Sequence, residues 1–201
     1  MRFIIFVVLF LSFCTFVMGQ VTIYSDTAYH ISTNKHSSIP STAQFEESKV
    51  AIIQNSFPKG GLRYTHSTGR NFVYAIFWTR VINKTDTPLE LTMNFPADSF
   101  AIPQTDTYVK LFLPPDTMTF DKESLFDYGL DLKSFLDTGF NKPTMLQRTI
   151  NPKEECLFYI ATLYNRGVDG VVRAGLFLKE KDFFYRITGI ETSCGQIVLK
   201  E

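Results

Sequence analysis

The segment from residue 71 to residue 96 constrains the fold most, because its hydrophobic pattern changes halfway. The stretch "NFVYAIFWTRVIN" (71–83) has no Gly or Pro, and it is largely apolar at both sets of alternating positions. After a polar turn, "LELTMNF" (89–95) alternates strictly between apolar and polar residues. The first stretch predicts a strand that is covered on both faces, and the second predicts a strand with one buried face. Together they form either an antiparallel hairpin or a crossing between two packed sheets.

Other segments have the length and spacing of strands in an all-β domain. They read "KVAIIQNSF", "TYVKLFLPP", "CLFYIATLY", "GVVRAGLFLK", "DFFYRIT" and "QIVLKE", with turn residues between them. Two intervening segments, 58–70 and 141–155, have the composition of connections. The sequence therefore predicts an all-β fold, an immunoglobulin-like or jelly-roll antiparallel β-sandwich over residues 49–201.

One segment departs from the strand pattern and predicts a short helical insertion near 120–138. Asp131 is suited to cap a helix, and Leu132, Phe135 and Leu136 follow with the spacing of one helical face. Gly139 stands where a residue that ends a helix belongs.

The N-terminus has the pattern of a secretory signal peptide over residues 1–19. Arg2 precedes an uncharged apolar run, and small Gly19 follows it, so we expect cleavage between Gly19 and Gln20. A retained membrane anchor is the alternative, although the run is shorter than a bilayer-spanning helix. Lipidation at Cys14 is a third, but the preceding residues do not suit it. The expected location is secreted or periplasmic, with no membrane span after cleavage, and residues 20–48 form an N-terminal strand and polar loop.

Charge excludes some classes of partner. The chain has 20 basic and 20 acidic residues, so nothing in its charge favours nucleic acid or an anionic membrane as a partner.

Two cysteines remain beyond the predicted signal peptide, Cys156 and Cys194. In an exported chain such a pair predicts one disulfide, worth roughly 4 kcal/mol for a loop of this length. Two free buried thiols are the alternative, because sequence does not supply the distance between the side chains.

No pattern of a catalytic or metal site is present, and no cofactor is expected. The histidines, which are His30, His36 and His66, lie in polar segments without zinc-ligand spacing. The acidic residues of the insertion region lack the pattern of a calcium loop. These residues are Asp116, Asp121, Glu123, Asp127, Asp131 and Asp137. Helix caps and solvated faces account for Asp121 and Asp131 more simply. No serine-nucleophile turn or phosphate-binding loop occurs either.

Aromatic residues are the most suggestive feature for binding. If one face of the sandwich is exposed, the candidates for contact with a ligand are Tyr64, Tyr74, Trp78 and Tyr108. The alternative is that these side chains fill the core. Asn83-Lys84-Thr85 also fits the acceptor pattern for N-linked glycans, which matters only in a eukaryotic secretory pathway.

Several segments resemble those of uncharacterised exported β-sandwich proteins of the Bacteroidetes. They are "RVINKTDTPLELTMNFPADSFAIP", "KLFLPPDTM", "TINPKEECLFYIATLY" and "VRAGLFLK", which fall between residues 70 and 190. The resemblance implies a bacterial, exported origin and no particular activity. The export signal, the sandwich pattern and the lack of a reactive constellation lead us to expect a non-enzymatic module that binds a protein or glycan at the cell envelope or exterior. A secreted hydrolase with loop carboxylates and a structural envelope protein are the alternatives.

Overall fold

The structure, a computed structural model, describes residues 44–167, 170 and 172–200. Within these ranges, the chain forms a seven-stranded and a five-stranded antiparallel sheet. The larger sheet contains β1 (Gln44–Glu47), β2 (Ala51–Asn55), β3 (Lys59–Thr65), β4 (Asn71–Asn83), β6 (Phe100–Ala101), β7 (Tyr108–Phe112) and β9 (Glu155–Tyr164). The smaller sheet contains β5 (Leu89–Phe95), β8 (Thr144–Ile150), β10 (Ala174–Lys179), β11 (Asp182–Ile187) and β12 (Ile190–Leu199). The predicted signal peptide, its cleavage site Gly19–Gln20 and the predicted N-terminal segment before residue 44 lie outside the described residues.

The order of the strands shows a chain that repeatedly changes sheet. The larger sheet runs β1-β2-β4-β9-β7-β6, and the smaller one runs β10-β11-β12-β5-β8. Strand β4 is long enough to have two partners on one side, β3 along its first half and β2 along its second. This arrangement confirms the predicted all-β sandwich with a short helical insertion.

The main core lies between the two sheets, and it buries apolar positions that the pattern of residues 71–96 predicts to be buried. Strand β4 contributes Ala75, Phe77 and Val81, while β5 contributes its alternate apolar residues from Leu89 to Phe95. Because β4 belongs to the larger sheet and β5 to the smaller, the turn between them is a crossing between sheets.

The outer face of the larger sheet is covered by the helical insertion, residues 116–140. Phe72, Ile76 and Trp78 of β4 point outward into a second apolar cluster. The insertion closes this cluster with Met118, Tyr128, Leu130, Leu132 and Leu136. The two-faced burial predicted for β4 therefore comes from a second sheet on one side and the insertion on the other.

The insertion consists of two 3₁₀ turns, Phe120–Lys122 and Phe126–Gly129, followed by helix α1 (Leu132–Gly139). The side chain of Asp131 caps α1 by accepting a hydrogen bond from Ser134 N, as predicted. Leu132 and Leu136 are buried beneath the helix. Gly139 is the last helical residue and Phe140 takes the cap position, so the helix ends two residues later than predicted.

Two segments expected to be connections are strands. In β3 the glycines do not make a turn but a bulge, with a register shift between Gly60 and Arg63. Gly60 has φ of 121°, and a Cβ atom there would lie 2.7 Å from Tyr74 O, so the close approach of β3 to β4 requires glycine. Strand β8 buries only Leu146 and Ile150, because it lies at the edge of the smaller sheet.

Asn83 is fully buried where β4 ends, so its glycan acceptor pattern is not accessible in the folded chain. Its Nδ2 donates to the backbone oxygens of Thr87 (2.8 Å), Ile150 (3.0 Å) and Asn151 (3.1 Å). Its Oδ1 accepts from the backbone nitrogen and the hydroxyl of Thr85, both at 2.8 Å. The side chain thus holds the crossing between the two sheets.

The predicted disulfide is not formed, because Cys156 and Cys194 carry free thiols on strands of different sheets. Burial raises the pKa of the Cys194 thiol to about 12, and it also raises the pKa of the half-buried Cys156 thiol. The alternative of free thiols describes the structure, and both are poor nucleophiles at neutral pH.

Candidate functional site

A cavity of about 450 Å³ opens between the helical insertion and the outer surface of β3 and β4. Tyr64 and Tyr74 line it from the sheet, while Phe126, Asp127 and the first turns of α1 line it from the insertion. We call this space the insertion cavity. Its volume is in the range of small-ligand pockets.

Asp127 is the unusual residue of the insertion cavity, because it is a carboxylate that is only 5% exposed. Its Oδ2 accepts a 2.6 Å hydrogen bond from the hydroxyl of Tyr74. Its Oδ1 is buried and has no hydrogen-bond partner among the described residues. A buried carboxylate oxygen without a partner costs free energy, so a donor that reached it would be bound favourably.

Tyr74 keeps its proton at any physiological pH. Burial raises the pKa of its hydroxyl, and the hydrogen bond to the Asp127 carboxylate and the charge of that carboxylate raise it further. The hydroxyl therefore remains a donor to Asp127, and its own oxygen stays available as an acceptor.

The backbone that presents Asp127 is strained. Asp127, Tyr128 and Gly129 have consecutive positive φ angles of 50°, 55° and 69°. A glycine adopts this left-handed region freely, but the two residues before it do so at a cost of about 1 kcal/mol or more each. Such strain persists only where surrounding contacts impose it, and it is concentrated at functional sites.

Contacts from three elements impose this conformation. Lys59 of β3 donates to the backbone oxygens of Glu123 and Leu125, and its ammonium lies 4.2 Å from the centre of the Tyr128 ring. The hydroxyl of Tyr128 donates to Phe57 O, and the hydroxyl of Tyr159 on β9 donates to Tyr128 O, each at 2.8 Å. The turn around Asp127 is thus fixed before any ligand arrives.

The far end of the insertion cavity is closed by Tyr64, whose hydroxyl donates to Asp137 at 3.0 Å. Burial, followed by this bond to a carboxylate, raises the pKa of Tyr64 to about 12. Lys133 also bonds to Asp137, at 2.7 Å, and this bond is the main reason that the pKa of Asp137 is lowered. These groups satisfy one another and stiffen the wall of the cavity.

A second carboxylate, Asp131, lines the cavity but is occupied by its capping role. Its two oxygens accept from the hydroxyl and the backbone nitrogen of Ser134, at 2.7 and 3.1 Å. These hydrogen bonds lower the pKa of Asp131, which is therefore ionised at neutral pH.

The mouth of the cavity carries an exposed ring and an unpaired cation. Phe126 is 71% exposed, and it immediately precedes Asp127. Arg63 lines the same cavity, and its guanidinium makes no hydrogen bond or ion pair with any other residue that the structure describes. Apolar and charged contacts are thus both offered to a ligand at the opening.

The four aromatic candidates do not form one exposed face. Tyr64 and Tyr74 share the insertion cavity, as described above. Trp78 is fully buried below the insertion, where its ring packs edge-on against Phe120 at 6.1 Å, and this removes it from the ligand-facing set. Tyr108 is 50% exposed on β7, in a different pocket.

Sequence reasoning missed Asp127, Phe126, Arg63 and Lys59. The sequence places Asp127 in a cluster of acidic residues without a role of its own, whereas the structure buries it. No local pattern marks these residues, since tertiary contacts bring together β3 and a turn that lies 60 residues away. The one local signal is the glycine after "FDY", which permits a left-handed turn.

No protein-family model matches the chain, and no match was found among curated proteins or solved structures. Within residues 44–200 as described, no group of three or more His, Cys, Asp or Glu side chains is placed to hold a metal ion. In the same part of the chain, no helix combines the length and apolar character needed to cross a bilayer.

Proposed function

We propose that this chain is a non-enzymatic binding protein, exported from the cell, which holds a carbohydrate in the insertion cavity. The observation that carries the proposal is the buried Oδ1 of Asp127, which lacks a partner beside the exposed ring of Phe126. A sugar offers both complements at once: hydroxyl groups that donate to a carboxylate, and a face of C–H groups that packs on an aromatic ring.

The charges of the cavity disfavour an anionic ligand. Two carboxylates, Asp127 and Asp131, line it with Arg63, whereas Lys133 is already paired with Asp137. An anion would be repelled by the two carboxylates, whereas a polyhydroxyl ligand can donate to Asp127 and accept from Arg63.

Export is the second part of the proposal, and the N-terminal sequence supports it. The apolar run after Arg2 ends at the small residue Gly19, in the pattern of a signal peptide. N-terminal sequencing of the protein recovered from the envelope or the culture fluid should begin at Gln20. A sequence that begins at Met1 in the cytoplasmic fraction would contradict export.

A hydrolase is the second candidate, because two carboxylates line the same cavity. A glycoside hydrolase needs one carboxyl group that stays protonated to act as the acid. Asp131 does not fit that role, since its pKa is lowered and both its oxygens bond to Ser134. The arrangement therefore supports binding more than turnover.

The test is a glycan array probed with the purified protein, followed by calorimetry on the glycans that bind. Asp127→Asn keeps the shape of the side chain but removes its charge, and it should weaken binding by about 10-fold or more. Phe126→Ala removes the exposed ring and should weaken it by roughly 3- to 10-fold.

Two variants serve as matched controls. Asp121→Asn alters an exposed acid of the same insertion, and Met145→Ala truncates a side chain that is 70% exposed on β8 of the other sheet. Both should bind like the parent protein. Binding that survives Asp127→Asn and Phe126→Ala would overturn this site, and release of reducing ends from a bound glycan would establish the hydrolase instead.

A further inference from the structure

A second pocket, of about 350 Å³, lies at the other end of α1, where β7 approaches the C-terminal end of the insertion. We call it the Lys110 pocket. Its lining includes Arg70, Tyr108, Lys110, Phe140, Asn141 and Asn165, and it shares no lining residue with the insertion cavity.

Lys110 is a buried cation without a paired anion. The residue is only 8% exposed, and none of the described carboxylates lies within ion-pair distance of its ammonium. The ammonium donates to Phe140 O at 2.9 Å and lies 4.4 Å from the centre of the Phe140 ring. Burial lowers the pKa of Lys110, and the more distant charge of Asp98 opposes that effect.

The bond to Phe140 explains part of this arrangement, because a cation at the C-terminal end of a helix is favourable. It does not explain all of it. An ammonium has three N–H donors, and the only acceptor found for them in the described chain is Phe140 O. A partly buried ammonium with unused donors is stabilised by an anion, so a counter-ion that enters the pocket would be bound favourably.

Arg70 supplies a second cation at the same pocket. It is exposed, its guanidinium lies 5.8 Å from the centre of the Phe72 ring, and it forms no ion pair with the residues that the structure places. Tyr108 adds an exposed ring, while its backbone nitrogen is already bonded to Asn165 Oδ1 at 2.8 Å. Two cations and one ring therefore surround a space without an acidic residue in its lining.

We propose that the Lys110 pocket binds an acidic sugar through its carboxylate. The carboxylate is the counter-ion of Lys110, Arg70 holds its outer oxygen, and the ring of the sugar packs on Tyr108. A single negative charge fits better than a phosphate dianion, because Asp98 offsets one of the two cations. This site is separate from the insertion cavity and does not depend on the proposed function of that cavity.

The probe is glucuronate, titrated into the purified protein by calorimetry at low and at physiological salt. Glucose has the same ring without the carboxylate, acetate has the carboxylate without the ring, and inorganic phosphate has a different anion. Glucuronate should bind more tightly than all three, and its affinity should fall as salt rises.

Variants assign the binding to the pocket. Lys110→Met keeps the length of the side chain and should weaken glucuronate binding more than 10-fold, and Arg70→Gln should weaken it about 3- to 10-fold. Lys142→Met, an exposed lysine just after α1, is the matched control and should bind normally. Since Arg70 is at the surface, Arg70→Gln keeps the test decisive if Lys110→Met does not fold.

The contrary results are equally specific. The comparison is made in the Asp127→Asn protein, where the insertion cavity is weakened, and there glucose that binds as well as glucuronate, or phosphate that binds better, would overturn the proposal. Acetate equal to glucuronate would show an unspecific anion site, and so would overturn the role of Tyr108. Asp127→Asn should leave glucuronate binding unchanged, which separates failure of this site from failure of the carbohydrate site in the insertion cavity.

Discussion

Replacing Asn83 with Asp should destabilise the fold strongly at neutral pH and much less in acid. The change preserves the shape of a fully buried side chain, but it turns the amide that donates to three backbone oxygens into a carboxylate oxygen. The new carboxylate oxygen would then face three backbone oxygens at the crossing between the two sheets, and no hydrogen bond could form among them.

The magnitude follows from the lost contacts. Each buried carbonyl that loses its donor costs about 1 to 3 kcal/mol. The three carbonyl oxygens share the two N–H donors of one amide, so we expect the free energy of unfolding to fall by about 3 to 5 kcal/mol at pH 7. That is a large share of the stability of a domain of this size. The two bonds from Thr85 to Oδ1 remain and offset a small part of it.

The loss of stability should depend on pH, and its direction follows from the pKa of the new carboxyl group. Among carbonyl oxygens the new carboxyl group favours its protonated form, so its pKa in the folded state lies above the unfolded value of about 3.9. The penalty from ionisation is complete above the folded pKa, declines as the pH falls through it, and disappears below about pH 3.9.

Urea unfolding followed by circular dichroism measures the difference from the parent protein at pH 7 and again near pH 4. Asn94→Asp, at an exposed position of β5, is the matched control and should change stability little at either pH. A fully stable Asn83→Asp protein at pH 7, or an equal penalty at both pH values, would refute the role assigned to this side chain.

Two further predictions test the bulge in β3 and the state of the thiols. Gly60→Ala should cost about 2 kcal/mol or more, because its Cβ would lie 2.7 Å from Tyr74 O, whereas Gly61→Ala has open space and only the cost of a positive φ, about 1 kcal/mol. Equal melting temperatures for the two variants would contradict this geometry. Without reductant, iodoacetamide should leave Cys156 and Cys194 largely unmodified in the folded protein, and it should alkylate both once urea unfolds the chain. Alkylation that requires a reductant as well would instead show a disulfide.

The sandwich was predictable because burial on two faces leaves a clear trace in sequence. In β4 both alternating sets are apolar, and each set has its own partner, the smaller sheet for Phe77 and the insertion for Trp78. In β5 only one set is apolar, and the structure buries that set. Hydrophobic periodicity reports such environments directly.

Strands β3 and β8 were not predictable in the same way. In β3 the adjacent glycines Gly60 and Gly61 predict a turn when only the local sequence is considered. Pairing with the neighbouring strand β4 places them in a bulge instead. In β8, Arg148 interrupts the alternation between Leu146 and Ile150, because an edge strand buries little. Both patterns are set by neighbours that are distant in sequence.

The candidate site was less predictable than the fold. Their aromatic character marks Tyr64 and Tyr74 as candidates, but nothing in the sequence shows that Tyr74 bonds to a buried Asp127. That pair depends on a strained turn held by Lys59 and Tyr159 from separate strands. Strain of this kind is imposed by tertiary structure against local preference, so local preference does not reveal it.

The position of Trp78 gives the protein an internal optical probe. It is the one tryptophan of the chain, and it lies between the larger sheet and the insertion, not between the two sheets. Its fluorescence therefore monitors whether the insertion is seated. Lifting the insertion would expose the indole and shift its emission to longer wavelength while the sheets stayed intact. The seating of the insertion can therefore be followed separately from the unfolding of the sheets, without any label.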